Sequence, residues 1–203
     1  EPIQSRDHTE RMLEGFGYPI DREGNTIQLE ANGILRGTEL AVPGDFSSAA
    51  FFIVGASIVP GSRLKLLNVG VNRTRTGLLK ILEMMGAKIE IRNYRYAAGE
   101  PVADLVVESS QLRGVEVPSS LVASMIDEFP VLSIAAANAS GVTRISGAEE
   151  LSSEETAQLL QLCQQKIDEF LGQRGSKIWS HRKKSLGYIS GTIRYEVLKR
   201  AKF

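Results

Sequence analysis

The chain repeats itself, and the repeat limits the folds that it can adopt. An apolar helix, a Pro or Gly break and a strand occur in this order twice, as DFSSAAFFIVGASIVPGSRLKLLN and as DEFPVLSIAAANASGVTRISG. A helix with an arginine near its start and a glycine at its end also occurs twice, as SRDHTERMLEGFG and as NRTRTGLLKILEMMG, with Arg6 opposite Arg75. Units of this size cannot bury their apolar faces singly, so we expect them to stack on one another.

Pro130 limits where the helix of the second copy begins. Proline lacks an N–H group and clashes with the carbonyl four residues back, so a helix tolerates it only in the first turn. We therefore predict a helix with Asp127 at or near the N-cap that runs to about Asn138, followed by a strand over residues 141–145. Taken alone, the pattern favours a capping role for Asp127 over a catalytic one, because caps are common and catalytic carboxylates are rare.

The other elements follow from hydrophobic periodicity and from turn residues. We predict an amphipathic helix over residues 5–17 capped by Ser5, a β-hairpin within 18–40, a helix that begins after Asp45 and is broken at Pro60 and Gly61, a strand over 62–69, a helix over 72–86, and strands over 87–92 and 104–108.

The charges are distributed unevenly along the chain. Residues 166–203 hold ten Lys or Arg and three Asp or Glu, a net charge of +7, whereas the formal net charge of the whole chain is zero. Residues 1–165 therefore carry −7. A charge step of this size suggests a junction between segments of different character.

The remaining composition excludes several classes of protein. One Cys and two His allow neither an intramolecular disulfide nor a metal-ligand pattern, so we expect no metal and no cofactor. The longest apolar run, residues 49–60, is too short to span a bilayer, and no signal peptide opens the chain. We expect a soluble, cytoplasmic protein with no membrane partner.

Four motifs carry a resemblance to a known family. SRDHTERML, VPGDFSSAAFF, NVGVNRTRTGLL with EMMGAKIEI, and SMIDEFPVLSIAAANASG resemble, in the right order, the 5-enolpyruvylshikimate-3-phosphate (EPSP) synthases, the 3-phosphoshikimate 1-carboxyvinyltransferases of aromatic amino-acid biosynthesis. The resemblance implies an α/β (α+β) fold of repeated βαβαββ units with helices inside and sheets outside, an inside-out barrel that is incomplete here. Residues 1–41 would end a first domain, 42–151 would form part of a second, and 152–203 would be a divergent helical and basic tail.

The family reaction adds the 5-hydroxyl group of shikimate 3-phosphate to C2 of phosphoenolpyruvate, and phosphate then leaves a tetrahedral intermediate. The resemblance implies that Asp127 is the catalytic aspartate, which accepts a proton and also hydrogen-bonds the substrate ring. Ser5 matches a position that contacts the shikimate phosphate at a helix start, where free N–H groups favour an anion, and Arg6 would assist it. Glu155 aligns, by counting without gaps, with a glutamate proposed as the proton donor.

The chain departs from the family pattern after Leu151. Glu154 stands at the position of the family's essential lysine, and Gln158 stands at that of an arginine that binds phosphoenolpyruvate. Exchanging lysine for glutamate beside a dianion turns attraction into repulsion, about a few kcal/mol each way at an effective dielectric constant of about 20. Other segments that the family uses would lie outside this chain. We therefore expect a fragment with a partial active site that does not catalyse the reaction alone.

Two other functions stay open at this point. One is a transferase similar to UDP-N-acetylglucosamine enolpyruvyl transferase, although the RDHTERML and IDEFP runs favour the shikimate enzyme. The other is a nucleic-acid-binding module formed by the tail, in which basic residues are interleaved with Trp179 and Tyr188. Residues 160–203 do not resemble the EPSP synthases and weakly resemble the lead-in to HNH-type nucleases, without the Cys and His motif that would follow. A solvated tail is the favoured interpretation, so we do not expect a nucleic-acid partner.

Overall fold

The computed structural model describes residues 6–146, which form a mixed α/β architecture with open sheets. The helices and strands in chain order are α1 (His8–Gly15), β1 (Ile20–Glu23), β2 (Thr26–Leu29), α2 (Phe46–Ile58), β3 (Arg63–Gly70), α3 (Gly77–Met84), β4 (Lys88–Ala97), β5 (Glu100–Glu108), β6 (Glu116–Val117), α4 (Phe129–Ala137) and β7 (Arg144–Ile145). Two 3₁₀ segments, Ser119–Leu121 and Ala123–Glu128, precede α4. Residues 1–5 and 147–203 lie outside the described part of the chain.

A three-stranded antiparallel sheet supports the helices. Its strand order is β3-β5-β4, so the two outer strands both pair with β5. The apolar middle of β5 is buried, as a central strand requires. Helices α2, α3 and α4 share one core with this sheet, which includes Ile53, Leu82, Leu105 and Leu132. The core therefore lies between the helices and the sheet, and it fixes where the ends of the helices lie.

Helix α2 begins and ends as the sequence predicts. The carboxylate of Asp45 accepts a hydrogen bond from the backbone N of Ser48 at 2.7 Å, which caps the first turn. The helix stops at Ile58 because Pro60 cannot continue it, and Gly61 then turns the chain at a φ of 77°. The exposed side chains of Phe51, Phe52 and Val59 leave one face of this apolar helix uncovered by the described residues. An incomplete stack of repeats predicts such a face.

The second arginine-bearing helix is shorter than predicted. Helix α3 covers Gly77–Met84 and not residues 72–86. The side-chain oxygen of Asn72 accepts from the backbone N and from the hydroxyl group of Thr74, at 3.0 and 2.9 Å. This local turn uses a backbone donor and holds residues 72–75 out of the helix. The first arginine-bearing helix is likewise shorter than the predicted 5–17, while Ser5 lies outside the described residues.

The predicted strands 87–92 and 104–108 are the two ends of one long hairpin. Strands β4 and β5 continue inward and meet at a tight turn of Ala98 and Gly99, whose φ values are 45° and 84°. Two consecutive residues with positive φ suit the right-handed twist of a hairpin. Alanine is uncommon at positive φ, so only Gly99 of the two turn residues is of a type that predicts this turn from the sequence. The predicted hairpin within 18–40 reduces to β1 and β2, and the predicted strand 141–145 reduces to β7, which pairs in parallel with β6.

Two bulges flank Asp104 at the centre of the sheet. Asn68 in β3 and Asn93 in β4 have φ values of 55° and 51°, and the register of each strand shifts beside them. The Asp104 carboxylate accepts from the backbone N of Asn68 at 3.0 Å and from the Asn93 amide at 2.9 Å, and it lies 3.4 Å from Lys65. These donors, the backbone N of Asn68 first, lower the pKa of Asp104 to about 2.

Two helical glycines give opposite predictions for the same substitution. A Cβ at Gly77 would lie 3.0 Å from the carbonyl oxygen of Leu121 and 3.1 Å from Cβ of Met125, and closer still to the Ser124 hydroxyl group. Nothing lies within 4 Å of a Cβ at Gly55 in α2. Gly77→Ala should therefore lower the free energy of unfolding by about 1–3 kcal/mol through overpacking. The matched Gly55→Ala should raise it by about 0.5–1 kcal/mol.

Urea unfolding followed by circular dichroism measures both changes. The packing of α3 against the 3₁₀ segment Ala123–Glu128 would be incorrectly described if Gly77→Ala were as stable as Gly55→Ala.

Candidate active site

Asp127 lies in the last turn of the 3₁₀ segment Ala123–Glu128, directly before α4. Pro130 occupies the first turn of α4, as predicted, but the N-cap residue is Glu128. Asp127 thus lies directly before the N-cap residue, in agreement with its predicted place at or near the N-cap, and the Glu128 side chain makes no cap bond to α4. The tighter 3₁₀ turn directs the Asp127 carboxylate to other partners, and its side chain is 45% exposed.

Two arginines converge on one oxygen of Asp127. Nη1 of Arg75 donates to Oδ2 at 2.7 Å, and Nη2 of Arg6 donates to the same oxygen at 2.9 Å. Arg75 precedes α3 and its side chain is 16% exposed, whereas Arg6 precedes α1 and its side chain is 55% exposed. The two arginines that stand opposite each other in the sequence repeat therefore meet in space.

Ser47 and Glu128 hold Arg75 from behind. Nη2 of Arg75 donates to the hydroxyl oxygen of Ser47 at 2.7 Å, and that hydroxyl group donates to Oε1 of Glu128 at 2.6 Å. The Glu128 carboxylate lies 3.9 Å from Nη2 of Arg75. Ser47 is fixed because it lies in the first turn of α2, two residues after the Asp45 cap. Arg75 is thus held in one direction, whereas Arg6 is more open to solvent.

Glu128 is a buried acid, and its pKa reflects this. Burial raises the pKa of Glu128 above its usual value. The hydrogen bond from Ser47 and the charge of Arg75 act in the opposite direction but do not cancel the effect of burial. The site therefore contains two adjacent carboxyl groups in different environments, the exposed Asp127 and the buried Glu128.

This arrangement suits an anionic ligand that has hydroxyl groups. Guanidinium groups bind phosphate and carboxylate groups through paired N–H donors. A half-exposed carboxylate between them can accept a hydrogen bond or a proton from a ligand hydroxyl group. Among residues 6–146, no group of three or more His, Cys, Asp or Glu side chains is placed to hold a metal ion. None of the helices in that range is long and apolar enough to cross a membrane.

The structure brings together part of the predicted site. Arg6 and Asp127 are in contact, while Ser5 and Glu155 lie outside the described residues; the roles of all four stay predictions. Sequence reasoning missed Arg75 as a site residue, although the repeat that sets it opposite Arg6 was a usable signal. It also missed Ser47 and Glu128, for which the sequence offers no comparable signal.

The raised pKa of Glu128 predicts how stability depends on pH. A carboxyl group whose pKa is higher in the folded chain than in the unfolded chain contributes stability at low pH, which is lost as the pH rises through the folded value. Glu128→Gln keeps an oxygen that accepts from Ser47 but cannot ionise. The variant should match the wild type below about pH 4 and be more stable than the wild type at pH 7, because burial disfavours the ionised Glu128 only in the wild type.

Urea unfolding of both chains between pH 3.5 and 7.5 measures this difference. A gap that stays constant across that range, or a wild type that is the more stable chain at pH 7, would contradict the burial effect at Glu128.

Comparison with known proteins places this chain in a family. Residues 2–167 match the family described as EPSP synthase (3-phosphoshikimate 1-carboxyvinyltransferase). The match extends past residue 151, where the recognisable motifs end. This match confirms the family that the sequence motifs indicate. The curated relatives described next agree with it, and a solved structure also confirms the fold.

Curated relatives named 3-phosphoshikimate 1-carboxyvinyltransferase include that of Alkalilimnicola ehrlichii, which is 57% identical over 156 residues, 77% of this chain and 35% of that protein. That of Methylococcus capsulatus is 54% identical over the same share of this chain and 36% of its own length. A solved EPSP synthase from Acinetobacter baumannii superimposes with a TM-score of 0.76 at 47% identity, over 83% of this chain and 37% of that one.

The chain thus spans about a third of the length of the relatives that it matches. Within that span both the sequence and the fold agree with theirs. The chain belongs to the EPSP synthase family.

Proposed function

We propose that the chain carries the part of an EPSP synthase site that binds shikimate 3-phosphate, with Asp127 as the proton acceptor. The observation that carries this proposal is the convergence of Arg6 and Arg75 on Oδ2 of Asp127, at 2.9 and 2.7 Å. Two cations and one carboxylate at a half-exposed point match a ligand with both anionic groups and hydroxyl groups. The names of the relatives supply the substrate class, and the geometry supplies a role for each residue.

Arg6 and Arg75 have different parts in this proposal. The pair of Arg6 with Asp127 is largely exposed, and such pairs are worth about 0–1 kcal/mol, so an arriving phosphate group can readily exchange for it. Arg75 is held by Ser47 and is mostly buried, so it stays in place and presents a fixed direction. Arg6 then moves to the ligand, while Arg75 already points towards it.

Asp127 acts on the 5-hydroxyl group. As the hydroxyl oxygen bonds to C2 of phosphoenolpyruvate, its proton passes to the Asp127 carboxylate, and the electrons of the C2=C3 double bond take a proton at C3 from a second acid, for which Glu155 is the predicted residue. Loss of a proton from C3 then re-forms the double bond as phosphate leaves with the electrons of the C2–O bond. Both arginines donate their hydrogen bonds to Oδ2 of Asp127, so we propose that Oδ1 accepts the proton. A carboxylate whose position is fixed by arginines is already oriented when the substrate binds.

Turnover in the family needs a lysine and an arginine, and this chain has other residues at the matching positions. Glu154 and Gln158 stand where the family pattern has a lysine and an arginine for phosphoenolpyruvate. A glutamate repels that ligand, so we propose that the isolated chain binds shikimate 3-phosphate but does not transfer the enolpyruvyl group. The proposal has three further parts: domain boundaries at residues 41 and 151, a cytoplasmic location, and phosphoenolpyruvate as a partner.

The alternatives have less support. The curated relatives described above carry the shikimate enzyme's name, which does not favour a UDP-N-acetylglucosamine enolpyruvyl transferase. A nucleic-acid-binding tail concerns residues outside the described part of the chain, and no comparison favours it.

Binding of shikimate 3-phosphate tests the proposal. Isothermal titration calorimetry on the folded chain should detect binding, and Arg75→Gln should weaken it at least about tenfold because a charged hydrogen bond is lost from a mostly buried position. Arg6→Gln should weaken it less, because Arg6 is more exposed. Arg92→Gln is the control, since Arg92 lies on β4, away from the site, and its side chain donates to Oε2 of Glu90 at 2.6 Å.

Two results would contradict the proposal. One is a folded wild-type chain that gives neither heat in the titration nor a ³¹P shift of the ligand. The other is a loss of affinity in Arg92→Gln as large as that in Arg75→Gln, which would mean that only overall charge matters.

A further inference from the structure

Asp7 directly follows Arg6 and is 1% exposed. It is the N-cap residue of α1, yet its side chain makes no cap bond. Instead Oδ2 accepts from Nε of Arg11 at 2.9 Å, and Oδ1 accepts from the amide of Asn72 at 2.7 Å. Burial by itself would raise the pKa of Asp7. The hydrogen bonds from Arg11 and Asn72 lower the pKa by more than burial raises it, so it lies below its usual value and the group is a carboxylate at neutral pH.

Asn72 uses both ends of its side-chain amide. Nδ2 donates to Asp7 and also to Oε2 of Glu100 at 3.2 Å. Oδ1 accepts from the backbone N and the hydroxyl group of Thr74. The backbone O of Asn72 accepts from the backbone N of Arg75 at 2.9 Å. The turn that presents Arg75 is therefore fixed by Asn72, which is itself 2% exposed.

The Asp7–Asn72 hydrogen bond joins the two segments that carry the arginines. Its two residues are 65 positions apart in the chain, so no local structure sets the distance between them. Arg6 is the neighbour of one end of the bond, and Arg75 closes the turn that the other end fixes. Two guanidinium groups repel each other, and each side chain has many rotamers, so their meeting on one oxygen requires that the two segments be held together.

We infer that Asp7 and Asn72 are positioning residues, whose hydrogen bond sets the separation of Arg6 and Arg75 so that both guanidinium groups converge on Asp127 and on the anionic group of the substrate. The part that concerns the substrate rests on the proposed function. The part that concerns the two arginines does not, since it describes the ligand-free chain.

Asn72→Asp is the decisive variant. It keeps the oxygen that Thr74 requires, but it replaces the amide donor with an oxygen that faces the carboxylates of Asp7 and Glu100. The bond between the two segments becomes a repulsion, while the turn keeps its acceptor. The dissociation constant for shikimate 3-phosphate should rise about tenfold or more.

Asn93→Asp is the matched control. Its amide donates to the carboxylate of Asp104 at 2.9 Å, so the substitution makes the same chemical change in the sheet, in the bulge of β4. It should lower stability without changing the dissociation constant by more than about twofold. A comparison of the two variants therefore separates positioning from general destabilisation.

The double variant Asp7→Asn with Asn72→Asp tests the bond itself. The donor now lies on residue 7 and the acceptor on residue 72, so the bond between the segments is restored, with Glu100 still repelled. Affinity should recover most of what Asn72→Asp loses, and the two single changes should be strongly non-additive.

A measurement without ligand keeps the inference testable by itself. In ¹⁵N spectra of the arginine side chains, assigned with Arg75→Lys and Arg6→Lys, the Arg75 guanidinium group of the wild type should rotate slowly about its Nε–Cζ bond. Asn72→Asp should average its Nη signals, and Asn93→Asp should leave them separate.

The outcomes are distinct. If the wild-type chain does not bind shikimate 3-phosphate, the proposed function fails, and the arginine spectra alone decide the inference. Arg75 signals that are unchanged in Asn72→Asp overturn it. Equal weakening of binding by Asn72→Asp and Asn93→Asp also overturns it, as does a double variant that recovers nothing.

Discussion

Two guanidinium groups meet on a single carboxylate oxygen, and the rest of the described structure makes this contact possible. Two guanidinium groups that bind the same oxygen lie close together, and their positive charges repel each other unless anionic and polar groups surround them. Asp127 supplies one negative charge, and Glu128 with Ser47 supports Arg75 from the other side. These groups come from four separate places in the sequence, so only tertiary packing can assemble them. The shared core of α2, α3 and α4 against the three-stranded sheet provides that packing for the segments of Ser47, Arg75 and Asp127. The Asp7–Asn72 hydrogen bond joins the segment of Arg6 to them.

The site combines a rigid half and an adaptable half. Arg75 is mostly buried and is held by a hydroxyl group at the start of a capped helix, whereas Arg6 donates to Asp127 from a side chain that is mostly exposed to solvent. A rigid donor gives a ligand its orientation, and an adaptable donor closes on it afterwards at little cost. The buried Glu128 opposes folding at neutral pH, because its raised pKa reflects an unfavourable environment for the charge. The same carboxyl group accepts from Ser47 and lies close to Arg75, so it helps to fix the direction of the Arg75 side chain.

The sequence predicted the features that depend on local chemistry. The Asp45 cap, the stops at Pro60 and Gly61, and the place of Pro130 in the first turn of α4 all follow from backbone stereochemistry, and the structure confirms them. It failed where a distant partner decides. Asn72 leaves the helix because its amide serves Thr74 and the buried Asp7. The partners of Asp127 are arginines 52 and 121 positions away, which no local pattern indicates. Likewise, the repeat sets Arg75 opposite Arg6, but only the tertiary contact shows that both reach Asp127.

Membership of the EPSP synthase family explains why the described residues look like one side of a site. The sequence pattern predicts that the phosphoenolpyruvate-binding positions of the family fall on Glu154 and Gln158, outside the described residues. The most direct test of this account is phosphate release from phosphoenolpyruvate and shikimate 3-phosphate by the purified, folded chain, with Asp127→Asn beside it. The account predicts no release above that of the variant. Release by the wild type that disappears in Asp127→Asn would contradict it, because the chain would then need neither the lysine nor the arginine that it replaces.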